Sequence, residues 1–62
     1  MAVSYGEIAA LQNEFDKQCE ELGVAWTDDE VRNEAFCEFV TDYEDGEEPE
    51  VRLCGYGYEM LN

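Results

Sequence analysis

Sixty-two residues carry 17 acidic side chains against three basic ones and no histidine, a formal net charge of −14 where a small soluble domain usually carries a magnitude of about 2–8. Such a surface excludes direct binding to nucleic acid or to an anionic membrane, since both demand basic residues. Hydrophobic residues at 45%, with 13% aromatic, still lift the chain above a disordered acidic tail, and its length allows one small domain, residues 1–62.

The first element opens with a full start signal. Ser4 is placed as N-cap, Glu7 three residues later closes a capping box, and Val3 is placed to staple against Ile8. The spacing predicts a helix over 5–22, on which Ile8, Leu11, Phe15, Cys19 and Leu22 form one apolar stripe with Cys19 on the buried side. Gly6 weakens the first turn slightly. Glu7, Glu14 and Glu21 make one acidic row, partly neutralised if Lys17 pairs with Glu14 or Glu21, while Asp16 and Glu20 lie on the other flank.

Gly23 is the expected C-terminal stop, and the connection 23–26 is short enough to force a reversal into an antiparallel neighbour. Thr27 then caps, Glu30 closes a second box, Trp26 is placed to staple against Val31, and Asp28 and Asp29 sit at the positive end of the helix dipole. The stretch TDDEVRNEAFCEFVTDYEDG, 27–46, reads as one amphipathic helix whose face is Val31, Ala35, Phe36, Phe39, Val40 and Tyr43. Its other half is acid. Glu30, Glu34 and Glu38 succeed one another at i, i+4 spacing, roughly 6 Å apart along the axis, and Asp42 and Asp45 continue the acid with no lysine between. Like charges so spaced oppose the helix by a few tenths of a kcal/mol per pair. Arg32 falls within the apolar face, where its stem can follow the core while the guanidinium reaches Glu59 or the C-terminal carboxylate.

Gly46 ends this helix, and 47–50, with its proline, reads as loop. In VRLCGYGYEML a type II′ turn at Gly55-Tyr56 sets Leu53 opposite Tyr58, Arg52 opposite Glu59 and Val51 opposite Met60, a hairpin with one apolar face. The predicted class is therefore α+β, an antiparallel helix pair followed by a C-terminal β-hairpin. The alternative is a helix pair with a single C-terminal strand that pairs with its copy in a dimer.

No catalytic constellation is assigned. Ser4 is committed as a cap, the cysteines have no neighbouring base, and an acidic surround raises a thiol's pKa. A calcium loop built on Gly46 as its sixth position would need Thr41 first and Arg52 twelfth, which fails. Paired glutamates for glycosidic cleavage lack room for a substrate cleft in so small a core. None of Cys19, Cys37 and Cys54 stands in a C-x-x-C pair, so metal ligands and cofactors are expected to be absent. Three cysteines, with neither a signal-peptide pattern nor a membrane-length apolar run, suit small buried or half-buried thiols in a reducing cytoplasm; a disulfide between two of them stays open.

The acidic surface remains. As a solvated face it would serve solubility alone, yet an excess of 14 charges is more than solubility asks for and opposes compactness. Rows of carboxylates on two adjacent helices approach the field of B-DNA, which carries one negative charge per about 1.7 Å of axis. In brevity and charge the whole chain resembles the small phage-encoded DNA-mimic inhibitors, the group that includes several anti-CRISPR and anti-restriction proteins. That resemblance implies a non-enzymatic inhibitor, monomer or homodimer, that blocks the basic surface of a nucleic-acid-binding protein or complex. The residues carried into that role are Glu30, Glu34, Glu38, Asp42 and Asp45 on the second helix, Glu14 and Glu21 on the first, and Glu47, Glu48 and Glu50 in the loop. The alternative from another class is a regulatory or antitoxin-like interaction module anchored by exposed Trp26, Tyr56 and Tyr58.

Overall fold

A computed structural model describes residues 4–61 as two helices, α1 (Tyr5–Leu22) and α2 (Asp29–Glu44), and two short strands, β1 (Val24–Trp26) and β2 (Tyr58–Met60). The expected staple from Val3 and the C-terminal carboxylate lie outside the described residues. Ser4 accepts a hydrogen bond from the Glu7 N–H, and Gly23, at φ 76°, closes α1 by donating back to its last turn. Leu11, Phe15 and Cys19, at four-residue intervals, are buried, whereas Ile8 and Leu22 at the two ends of the stripe remain exposed, since α2 and the strands cover only the middle of α1.

Phe15 is the hub of the core. Its ring is fully buried, stacks on Trp26 with centroids 6.0 Å apart, and meets Phe36 at 5.4 Å and Phe39 at 5.5 Å edge to face. These are the separations at which aromatic quadrupoles attract. The helices run antiparallel: Arg32, early in α2, pairs with Asp16, and Tyr43, near its end, reaches Glu7 near the start of α1.

The α+β class and a closing antiparallel strand pair stand, but β2 pairs with β1 and not with residues 51–53. Val24 lies opposite Met60, Ala25 opposite Glu59 and Trp26 opposite Tyr58. This register explains itself in backbone groups. The Gly57 carbonyl accepts from Thr27 N–H (2.9 Å) and Asp28 N–H (3.2 Å), and Leu61 N–H donates to the Gly23 carbonyl at 2.6 Å. A local hairpin would leave the interhelix segment without those partners and would lose the edge-to-face contact of Tyr58 on Trp26, 5.9 Å between centroids. Val51 and Leu53 still pack against the core as irregular chain.

The same pairing moves the second cap. Because Thr27 N–H continues the contact to Gly57, the extended backbone runs one residue further, and Asp28 replaces Thr27 as N-cap, accepting from Glu30 N–H and Val31 N–H. The far end of α2 follows the expected glycine stop. Gly46 (φ 81°) donates to Tyr43, and Glu47 N–H donates to the Asp42 carbonyl, the two bonds of a Schellman motif.

Gly57 is the residue on which the strand closure turns. Its φ is 80°, and a Cβ added there would stand 2.7 Å from Val31 Cβ and Cγ2. Gly57→Ala is therefore expected to destabilise by about 2–4 kcal/mol, combining left-handed backbone strain with overpacking. Gly6→Ala, in open space within α1, is expected to stabilise by roughly 0.5–1 kcal/mol. Urea denaturation of the two variants checks both signs; an unaltered midpoint for Gly57→Ala contradicts the packing described.

Candidate functional site

Charge neutralisation inside the fold uses two of the three cations. Arg32 Nη2 lies 3.2 Å from Asp16 Oδ1, and its guanidinium carbon sits 5.6 Å above the Phe15 ring. Its expected partner, Glu59, is carried instead on the exposed side of β2. Arg52, expected opposite Glu59, reaches Asp42 Oδ2 at 3.1 Å. That contact is a charge pair without hydrogen-bond alignment, and the oxygen has no other partner among the described residues. Lys17 makes no ion pair among the described residues, so Glu14 and Glu21 are not neutralised by it as expected.

Sixteen acidic residues are exposed and one, Asp42, is buried. Helix geometry accounts for the exception. At 3.6 residues per turn each four-residue step advances the direction by about 40°, so a row that begins at Glu30 on the flank turns through Glu34 and Glu38 until Asp42 points inward. There it lies in line with Ala35 and Phe39 on the buried face. Asp42 is thus withdrawn from the acidic row and tied to Arg52, and Tyr43, expected on the apolar face, is exposed in its place. The Tyr43 hydroxyl donates to Glu7 Oε2 at 3.0 Å. This bond, ahead of that from the Ser4 hydroxyl, holds the Glu7 carboxyl below its ordinary value and raises the Tyr43 phenol.

The other expected site residues separate into two faces. Glu30, Glu34 and Glu38 are exposed along α2, where Glu34 and Glu38 flank a small recess completed by Val31, Ala35, Arg52 and Cys54. Glu14 and Glu21 from α1 meet Glu48 and Glu50 across a groove of about 400 Å³ floored by Leu22, Pro49 and Val51. Glu47 is exposed beside that loop, and Asp45 is the exposed C-cap of α2. Gln18 holds the groove together: its Nε2 donates to the Pro49 carbonyl and its Oε1 accepts from Val51 N–H, both at 3.1 Å. Its role has no local sequence signal, since both partners lie more than thirty residues away.

Among the described residues no group of three or more acidic or cysteine side chains is placed to hold a metal. All three cysteines are free; Cys19 is buried as expected, whereas Cys37 and Cys54 are exposed. Burial raises the Cys19 thiol pKa, opposed in part by the Trp26 indole N–H that donates to its sulfur at 3.2 Å. Among the described residues no helix is long and apolar enough to cross a membrane. Comparisons with protein-family models, with curated proteins and with solved structures find no match.

The asymmetry of the Arg52–Asp42 pair can be measured. Side-chain exposure is 58% for Arg52 and 8% for Asp42, so deleting the arginine strands a buried carboxylate, while neutralising the aspartate leaves a cation in water. Arg52→Ala is expected to cost on the order of 1–3 kcal/mol, and Asp42→Asn about 0.5–1.5 kcal/mol. Urea midpoints in the reverse order would contradict the pairing.

Proposed function

We propose that the chain is a non-enzymatic acidic mimic of nucleic acid, which occupies the basic surface of a nucleic-acid-handling protein and excludes its natural ligand. The observation that carries this reading is the near single sign of the surface: sixteen exposed carboxylates, with two of three cations already committed to Asp16 and Asp42. The dimensions support it. The molecule measures 35 × 19 × 19 Å, a length close to one turn of B-DNA at about 34–36 Å. A net charge of −14 along that 35 Å axis is one per about 2.5 Å, against one per about 1.7 Å for the duplex.

Field and shape would act in sequence. Long-range attraction steers a basic groove onto the acidic rod, and charge-assisted hydrogen bonds from arginine and lysine then hold it. A role as an anti-CRISPR or anti-restriction inhibitor of phage origin, working in the bacterial cytoplasm, is the setting in which such a molecule fits best. Anchoring through Trp26, Tyr56 and Tyr58 has less support, since Trp26 and Tyr58 pack against the core and, of these three, Tyr56 alone is exposed, at 63%.

The test starts from a basic nucleic-acid-binding protein retained by this chain from a bacterial lysate at low salt. DNA is expected to displace the chain from it, with affinity falling steeply as salt rises. Reversing Glu34 and Glu38 together to lysine should weaken binding roughly tenfold, since exposed pairs worth about 0.2–1 kcal/mol each are replaced by repulsion. A ternary complex of partner, this chain and saturating DNA would overturn the proposal, as would undiminished binding by the folded double reversal.

A further inference from the structure

The groove between α1 and the loop that follows α2 is far larger than the recess beside Glu34 and Glu38, about 400 Å³ against about 40 Å³, and sets apolar side chains between its carboxylates. Glu14 and Glu21 line one wall and Glu48 and Glu50 the other, with Leu22, Pro49 and Val51 between them, in a space of about 400 Å³. That lies within the 300–1,000 Å³ typical of ligand pockets. All four carboxylates are exposed, and none is in an ion pair among the described residues. Leu22 is left exposed at the end of its helix, where the apolar stripe of α1 outruns its cover. The walls are set in advance by the two hydrogen bonds of Gln18 to residues 49 and 51.

Charge and polarity together select the occupant. The carboxylates do not converge as metal ligands, so they border a cleft and do not close on a single ion. A second copy of the chain would bring another −14 against the same acid, which repulsion opposes. A side chain with a long aliphatic stem and a cationic head satisfies both parts, its stem along the floor and its head between the walls. Resting on the reading of the partner as basic, we propose that this groove is the primary docking site, and that it receives a peptide segment of the partner bearing an arginine or lysine side chain. The exposed row on α2 then contributes field and on-rate, while the groove fixes the register of the complex.

The experiment is an amide NMR titration of the full chain with a blocked oligoarginine peptide at low salt. Shifts are expected to concentrate at the amides of Gln18, Glu21, Leu22, Glu48, Glu50 and Val51. Glu21→Gln with Glu48→Gln should weaken the peptide about fivefold more than Glu30→Gln with Glu34→Gln, which removes the same charge from exposed pairs. Leu22→Asn, which alters no charge, should weaken it as well, and each variant's amide spectrum reports that it is folded. Shifts spread evenly over both helices, or equal losses from the two neutralised pairs, would overturn the groove and leave the mimic reading standing. Failure of the wild-type chain to bind the peptide at all would overturn both.

Discussion

The fold depends on the four contacts of one ring. Phe15 joins α1 to α2 through Phe36 and Phe39, to β1 through Trp26, and to the cation of Arg32 above it. Each aromatic pair adds about 0.5–1.5 kcal/mol beyond the area it buries. In a molecule of 62 residues, whose total stability is expected at roughly 3–9 kcal/mol, three such pairs are a large share. Among the described residues only five apolar side chains outside this cluster, Leu11, Cys19, Val24, Val31 and Ala35, are buried, all of them smaller than its rings. The strand closure extends it, because Tyr58 packs on the Trp26 that stacks on Phe15.

That core works against the surface that encloses it. Both arginines are engaged within the chain: Arg32 lies over Phe15 beside exposed Asp16, and Arg52, itself exposed, reaches buried Asp42. Their charges therefore serve cohesion and, Asp16 apart, leave the exposed carboxylates without an ion pair among the described residues. A protein selected for stability alone would scatter lysines among Glu30, Glu34 and Glu38, where each would relieve repulsion. Their absence gives the acidic face its functional interest, and the basic partner proposed for it would supply the chemistry this chain lacks.

Local grammar was legible in the sequence, and contacts between distant segments were not. Both helices, the Ser4 cap, the Gly23 and Gly46 stops and the buried place of Cys19 follow from spacing within one or two turns. Spacing alone favours a local partner for β2, because the glycine-containing turn at 55–56 offers a nearby match, whereas the actual match, Trp26 with Tyr58, spans a helix and a loop. Thr27 lost the cap to Asp28 for the same reason, since its N–H is claimed by Gly57. The inward turn of Asp42 was available from helix geometry alone, as the acidic row drifts about 40° per step. Of the expected site residues, Glu14, Glu21, Glu48 and Glu50 converge on a groove that sequence spacing did not foreshadow, because Gln18 ties its walls across the chain.

If the exposed carboxylates oppose this fold, screening them by salt must stabilise it. Melting the chain in sodium chloride between about 0.01 M and about 0.1 M tests this most directly, because the screening length falls from about 30 Å to about 10 Å over that range. The longer value nearly spans the 35 Å molecule. Relief of even 1 kcal/mol corresponds to a shift of about 4–8 °C in a domain of this size, so a rise of several degrees is predicted. A melting temperature that stays constant or falls would mean that the charges are already balanced within the fold, and would contradict the account.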